Sequence, residues 1–135
     1  MKKFLFALTA ASLVFGTGAQ AKTEGPNPIA EKGEAKLAKM LEGRVAGKPM
    51  TCIPEQDSNR LQVIDQTAVV YDGGNTVYVA RPRDPRSLNA NDILIIDRRT
   101  SQLCSQDVIK TVDRTSGFMT GIIFLNDFTP YTRKR

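Results

Sequence analysis

Histidine and tryptophan are absent from this chain, and cysteine occurs only twice. The absence of histidine excludes Ser-His and Cys-His nucleophile pairs, histidine-ligated zinc and copper sites, and the most common general base near neutral pH. With no tryptophan and aromatic residues at 7% of the composition, a sugar-stacking platform is poorly supplied. The sequence therefore predicts a protein without a metal, a cofactor or most forms of catalysis.

Carboxylates remain as candidate catalytic groups. A pair for glycoside hydrolysis can be drawn from five aspartates, namely Asp65, Asp72, Asp97, Asp107 and Asp113. Most of them fall at the ends of predicted strands, where aspartate is favoured for turn geometry. We therefore predict a non-enzymatic protein, with a carboxylate-based hydrolase acting on cell-wall material as the alternative.

The first 21 residues have the three parts of a secretory signal peptide. Lys2 and Lys3 form a basic start, residues 4–15 an apolar core, and Ala19-Gln20-Ala21 a small-x-small cleavage site before Lys22. The apolar run is shorter than the roughly 20 residues that a membrane-spanning helix needs. We expect a periplasmic or secreted protein that has no stable membrane anchor after cleavage.

The positive charge of the chain is concentrated at its two ends. The formal net charge is +5, and without Lys2 and Lys3 it is +3, which equals the charge of the final Arg133-Lys134-Arg135 segment. No predicted strand or helix carries a basic stripe, so no nucleic-acid partner is predicted. The tail suggests one further interpretation, adhesion to an anionic lipid or polymer.

Cys52 and Cys104 are predicted to form a disulfide. An even pair in a small exported domain is most simply a bridge, whereas a redox-active or free pair is the alternative. Nothing in the sequence resembles a Cys-x-x-Cys motif. Loop-closure entropy makes such a bridge worth about 4 kcal/mol.

The stretch from Arg60 to Pro82 predicts a β-hairpin that turns at Asp72-Gly73-Gly74-Asn75. If Asp72 faces Asn75, the pairs on one face are Val70 with Val77 and Ala68 with Val79. The pairs on the other face are then Tyr71 with Thr76 and Val69 with Tyr78. Because both faces are apolar, the hairpin needs cover on two sides and should lie at the centre of the fold.

The rest of the chain predicts a mainly β fold, a small antiparallel sandwich or barrel of five to seven strands with one N-terminal helix. Residues 22–43 form a leader and a helix from Ile29, with Ile29, Leu37, Met40 and Leu41 on one stripe. Residues 44–131 form the β-domain, and residues 132–135 a basic tail that frays. Residues 93–96 read as a strand buried on both faces. Residues 118–124 read as a strand after a second tight turn, with Gly121 marking a bulge or a close approach.

Several segments together resemble a family of small exported bacterial proteins known only as a domain of unknown function. They are Cys52-Ile53, Val63-Ile64-Asp65, Val77-Tyr78-Val79, the Leu-Cys-x-x-Asp motif at 103–107 and the Phe-x-Pro-Tyr motif at 128–131. The resemblance spans Gly43 to Tyr131. Some members carry a second cysteine pair, and this chain has Ser87 at one of those positions. The resemblance implies the fold and the compartment, and no activity, cofactor or catalytic residue.

These observations favour an exported β-domain that works by surface contact with an envelope protein or polymer. The candidate contact residues are arginines in two loops and one aromatic residue in a turn: Arg81, Arg83, Arg86, Arg98, Arg99 and Phe118. A narrower version is an inhibitor of a secreted hydrolase, in which a loop plugs an acidic cleft and arginine supplies the matching charge.

Overall fold

A computed structural model of the chain describes Gly25, residues 27–54 and residues 58–135. The predicted signal peptide lies outside the described residues. The elements in chain order are α1 (Pro28–Met40), β1 (Arg44–Ala46), β2 (Cys52–Pro54), β3 (Leu61–Ile64), β4 (Ala68–Asp72), β5 (Thr76–Ala80), β6 (Asp92–Asp97), β7 (Gln102–Cys104), β8 (Val108–Asp113), β9 (Met119–Ile123) and β10 (Thr129–Arg133). Short 3₁₀ turns at 58–60 and 85–87 complete the list for the described residues.

The strands form three antiparallel sheets. The largest has the order β1-β10-β5-β4-β3, a second pairs β2 with β7, and a third has the order β6-β8-β9. The prediction of a mainly β, sandwich-like fold with one helix and one disulfide is confirmed. The described residues hold ten strands instead of five to seven, because three-residue strands such as β1, β2 and β7 leave too little alternation to be recognised in a sequence.

The β4–β5 hairpin has an apolar core on each side. Ala68, Val70, Val77 and Val79 belong to one buried cluster. Val69, Tyr71 and Ala80 belong to the other, which also contains Ile53, Leu88, Leu103, Ile109, Ile123, Leu125 and Phe128. The predicted division of side chains between the two faces is therefore confirmed, and so is the need for cover on both.

The predicted register of this hairpin is wrong by two residues. Val70 pairs with Val79 and Tyr71 with Tyr78, because the loop is longer than expected and Asp72 pairs with Val77. The Asp72 carboxylate accepts the Gly74 N–H at 2.8 Å, and Gly74 has a φ of +86°. A shift of two residues leaves each side chain on its original face, so the face of each side chain was still predicted correctly.

The sequence pattern also missed a turn that separates β3 from β4. Gln66 has a φ of +46°, and the Thr67 hydroxyl donates to the Asp65 carbonyl oxygen at 2.7 Å. The chain reverses here, so that Val63 pairs with Val69. The run that reads as one strand is therefore two strands, and β3 forms the edge of the largest sheet.

Helix α1 covers one face of the hairpin. The Asn27 side chain accepts hydrogen bonds from the Ile29 and Ala30 N–H groups and starts the helix. Its buried Leu37 packs on the Val70 cluster, together with the half-buried Met40 and Leu41. Ile29, the other residue of the predicted stripe, lies in the first turn, is 48% exposed and is not part of this buried cluster.

Gly33 allows α1 to approach the sheet closely. A Cβ at this position would lie 1.9 Å from Thr67 Oγ1 and 2.8 Å from the Asp65 carbonyl oxygen. A glycine that disfavours the helix locally is therefore required where the helix crosses the β3–β4 turn.

The disulfide joins Cys52 and Cys104 as predicted. The two residues are directly paired across β2 and β7, and the neighbouring pair, Ile53 and Leu103, is completely buried. The Asp107 carboxylate accepts the Cys104 N–H at 2.8 Å, and the Asp107 N–H donates to the Cys104 carbonyl oxygen at 3.1 Å. The Leu-Cys-x-x-Asp sequence is thus a closed turn that begins at the bridge.

The basic tail is more ordered than the sequence indicated. Strand β10 continues to Arg133, which pairs with Arg44 of β1, and the Lys134 N–H donates to the Gly43 carbonyl oxygen. The prediction that residues 132–135 fray is therefore wrong for 132–134. The tail is held because β10 lies between β1 and β5, where both of its edges are paired.

The Gly33→Ala substitution should lower the free energy of unfolding by about 1–2 kcal/mol. Overpacking costs about 1–3 kcal/mol, whereas the gain in helix propensity is at most about 1 kcal/mol. Urea denaturation measures the difference. Gly25→Ala is the control, since a Cβ there meets nothing within 4 Å. A Gly33→Ala variant as stable as wild type would contradict the close approach of the helix.

Replacing both cysteines by serine should lower the free energy of unfolding by about 4 kcal/mol in the same assay. A reductant should bring the wild-type protein to the stability of the double variant. It should leave the variant itself unchanged. If reductant and substitution both left the denaturation midpoint unmoved, the bridge would have no role in stability.

Candidate functional site

The three-stranded sheet has apolar side chains on both of its faces. On the inner face, Leu94 and Ile96 of β6, Ile109 of β8 and Ile123 of β9 join the main core. The register places three rows across the outer face, led by Ile93, Ile95 and Asp97 of β6. The residues paired with them on β8 and β9 point to the same side of the sheet. The outer face is therefore largely apolar, with Asp97 and Lys110 as charged members of its rows.

Six of these outer side chains are exposed. Ile93, Ile95, Val108, Met119, Ile122 and Phe124 are between 38% and 64% exposed, and we refer to them as the apolar face. The prediction that residues 93–96 are buried on both faces is therefore wrong, because Ile93 is 44% exposed and Ile95 is 48% exposed. Contiguous exposed apolar side chains of this kind commonly mark an interaction site.

The apolar face carries few charges. Lys110 lies in its middle row, between Ile95 and Ile122. Asp97 lies at one end, paired with Val108. At the β9 edge the Arg83 guanidinium lies over the Phe124 ring, 6.0 Å from its centroid, a distance at which a cation is attracted to the ring.

Phe118 lies beside this face in the turn between β8 and β9, and it is 77% exposed. Asp113 holds the turn, because its Oδ1 accepts hydrogen bonds from the Thr115 and Ser116 N–H groups and the Ser116 hydroxyl. Gly117 has a φ of +73°, and its N–H donates to the Asp113 carbonyl oxygen. Four hydrogen bonds within the turn thus hold the backbone from which the exposed Phe118 side chain extends.

The arginines of the predicted contact surface do not form one cluster. Arg81 makes a two-pronged ion pair with Glu34 of α1, and its hydrogen bonds lower the pKa of the Glu34 carboxyl. Arg83 and Arg86 line one shallow cleft near Asn27. Arg98 lines a groove between β3 and β6, and Arg99 lines a cleft beside the disulfide. Of the predicted contact residues, Arg83 and Phe118 lie at the apolar face.

Most candidate carboxylates are engaged in local structure. Asp65 accepts the Ala90 N–H, and Asp72, Asp107 and Asp113 accept backbone N–H groups of their own turns. Asp97 and Asp107 nevertheless line the same cleft, of about 440 Å³, together with Arg99. This is where the structure brings two of the five predicted carboxylates together.

Two features of the structure were not predicted from the sequence. Exposure of Ile93 and Ile95 cannot be read from alternation, since the pattern reports apolar character on both faces and not what covers each. The second is a basic cleft lined by Lys32, Lys36 and Arg86. The spacing of the two lysines was a usable signal, whereas the position of Arg86 opposite them depends on how α1 docks.

Within the part of the chain that the structure describes, no group of three or more Cys, Asp or Glu side chains is arranged to hold a metal ion. In the same residues, every helix falls short of the length and hydropathy needed to cross a bilayer. A scan of protein-family models, a search of curated proteins and a search of solved structures each found no match to this chain.

Acidification should loosen the turn that presents Phe118. Hydrogen bonds from the Ser116 N–H and hydroxyl lower the pKa of the Asp113 carboxyl in the folded protein. The turn is then fully ordered above the unfolded-state pKa of about 3.9 and loses order as pH falls through the lower, folded value. Amide NMR shifts of Thr115 and Ser116 across an acid titration measure this change.

Asp113→Asn is the matched control for the titration, because the amide oxygen still accepts these hydrogen bonds and does not titrate in this range. Its Thr115 and Ser116 shifts should stay constant over the same pH interval. A wild-type titration indistinguishable from that of the variant would show that Asp113 does not hold the turn.

Proposed function

We propose that this protein is an exported, non-enzymatic β-domain that binds another exported protein through the apolar face. The observation that carries the proposal is the row structure of the three-stranded sheet, whose outer side is apolar across β6, β8 and β9 yet exposed. A sheet with two apolar faces and one covered side is the pattern of a surface completed by a partner. The predicted signal peptide and the disulfide support the periplasm or the cell exterior as the compartment.

The charges indicate the chemistry of the partner. Lys110 lies within the apolar face and Arg83 at its edge, while Asp97 lies at the far end. A complementary surface would therefore be apolar with a carboxylate facing Lys110, since a buried unpaired ammonium is costly. Phe118, held on its turn, is suited to act as an aromatic anchor that enters a pocket of that surface. The inhibitor version of this proposal changes accordingly: the contact is the apolar face, and not an arginine loop in an acidic cleft.

The test is quantitative capture of partners from an envelope extract by the mature chain. The Ile95→Thr/Phe124→Ser double variant and the Phe118→Ser variant should each retain about a tenth or less of the wild-type capture, because central apolar anchors dominate interface energies. Arg83→Glu should weaken capture less strongly and in a salt-dependent way.

Two matched controls separate this interface from general stickiness. Val45→Thr removes an apolar side chain that is 44% exposed on β1, outside the apolar face. Arg133→Glu makes the same charge change as Arg83→Glu on β10, which belongs to the largest sheet. Capture that falls equally in the controls and the face variants would refute the proposal. Sedimentation of the purified chain should show a monomer, and a dimer abolished by Ile95→Thr would assign the face to a second copy instead.

A second candidate function is a carboxylate-based hydrolase acting on cell-wall material. The observation in its favour is the cleft that Asp97 and Asp107 share. Against it, one Asp107 oxygen is used by the Cys104 N–H. Release of soluble fragments from purified cell walls, abolished by Asp97→Asn but not by Asp84→Asn, would favour the hydrolase over the binding domain.

A further inference from the structure

A cleft of about 470 Å³ lies between α1, the β3–β4 turn and the loop before β6, away from the apolar face. Lys32 and Lys36 line it from the helix, and Arg86 lines it from the loop. The carboxylate in the lining is that of Asp65, and one of its oxygens accepts the Ala90 N–H. The cleft therefore has an excess of positive charge.

The two lysines are placed against their own helical preference. They are four residues apart, so they lie one above the other, and like charges at this spacing destabilise a helix. Neither lysine has an acidic residue three or four positions away, although Glu31 and Glu34 belong to the same helix. The sequence leaves their charges uncompensated along the helix, and an anion in the cleft would compensate both.

The lower part of the cleft is apolar. Val63 is half-buried, while Ile64 and Leu88 are almost completely buried, and the exposed Ile29 forms part of the wall. Gly33 contributes no side chain between the two lysines. An anionic group at the mouth could therefore extend a short apolar chain along the floor.

The walls are tied together before any ligand binds. The Gln66 side-chain oxygen accepts a hydrogen bond from the Asn27 amide at 2.6 Å, and the Gln66 N–H donates to the Leu88 carbonyl oxygen at 2.9 Å. These bonds link the helix start, the β3–β4 turn and the loop. Gln66 adopts its left-handed φ of +46° in this lining, and non-glycine residues in such conformations are concentrated at ligand sites.

We infer that this cleft binds an amphiphilic anion, a phosphate or carboxylate group on a short apolar chain, with Lys32, Lys36 and Arg86 at the anionic end. The site is separate from the apolar face and does not depend on the proposed function. Its ligand class differs from that of the protein partner, so that each proposal fails or succeeds alone.

The test is an NMR titration of the ¹⁵N-labelled mature chain with hexyl phosphate, in parallel with inorganic phosphate. Hexyl phosphate should shift amides of residues 29–36, 63–66 and 86–90 and bind about tenfold more tightly than inorganic phosphate, because the chain covers apolar surface. Lys32→Glu/Lys36→Glu should weaken hexyl phosphate binding by at least about tenfold.

Lys39→Glu/Lys48→Glu is the charge-matched control, with both substitutions outside this cleft. It should leave the affinity for hexyl phosphate unchanged. An equal loss of affinity in both double variants would show that only the net charge matters, and it would overturn the proposal. Val63→Thr should weaken the binding of hexyl phosphate but not the binding of inorganic phosphate. Equal affinity for the two ligands would contradict the proposal that the ligand is amphiphilic. An absence of localised amide shifts would contradict binding in this cleft.

Discussion

The structure depends on one constraint: the β4–β5 hairpin is apolar on both sides and must be covered twice. Helix α1 supplies one cover through Leu37, and the smaller sheets supply the other through residues such as Ile53 and Leu103. Two specialised features serve these covers. Gly33 lets the helix approach, and the disulfide fixes the pair of short strands whose apolar residues close the second core. Hydrophobic burial on this scale is the dominant favourable term for a small domain.

Much of the fold could be predicted because alternation reports which face a side chain takes. The hairpin faces were right even with a register wrong by two, since a shift of two preserves the alternation. The turn at Gln66 was missed because glutamine is not a residue that signals a left-handed conformation. The strand at 93–96 was recognised, but its burial was not, because apolar character on two faces does not reveal whether the same chain provides both layers.

The candidate sites were predicted less well than the fold. The exposure of Phe118 was predicted correctly because the residues of the tight turn before it are recognisable in the sequence. The arginines were grouped by proximity along the chain, whereas the three-dimensional structure sends Arg81 to Glu34, Arg83 to Phe124 and Arg99 to the disulfide cleft. The basic cleft joins a helix to a loop about fifty residues later, and such pairings are set by tertiary packing that local patterns do not encode.

The position of β10 has a consequence for how the protein is made. The strand latest in sequence lies between β1 and β5, so the early residues 44–46 have no sheet neighbour until residues 129–133 arrive. During synthesis from the N-terminus, the β5 edge at residues 76–80 stays open until residues 129–133 follow, and such an open edge is the kind that pairs with other chains. Completion of the largest sheet is therefore a late step of folding, because β1 and β5 are joined only through β10.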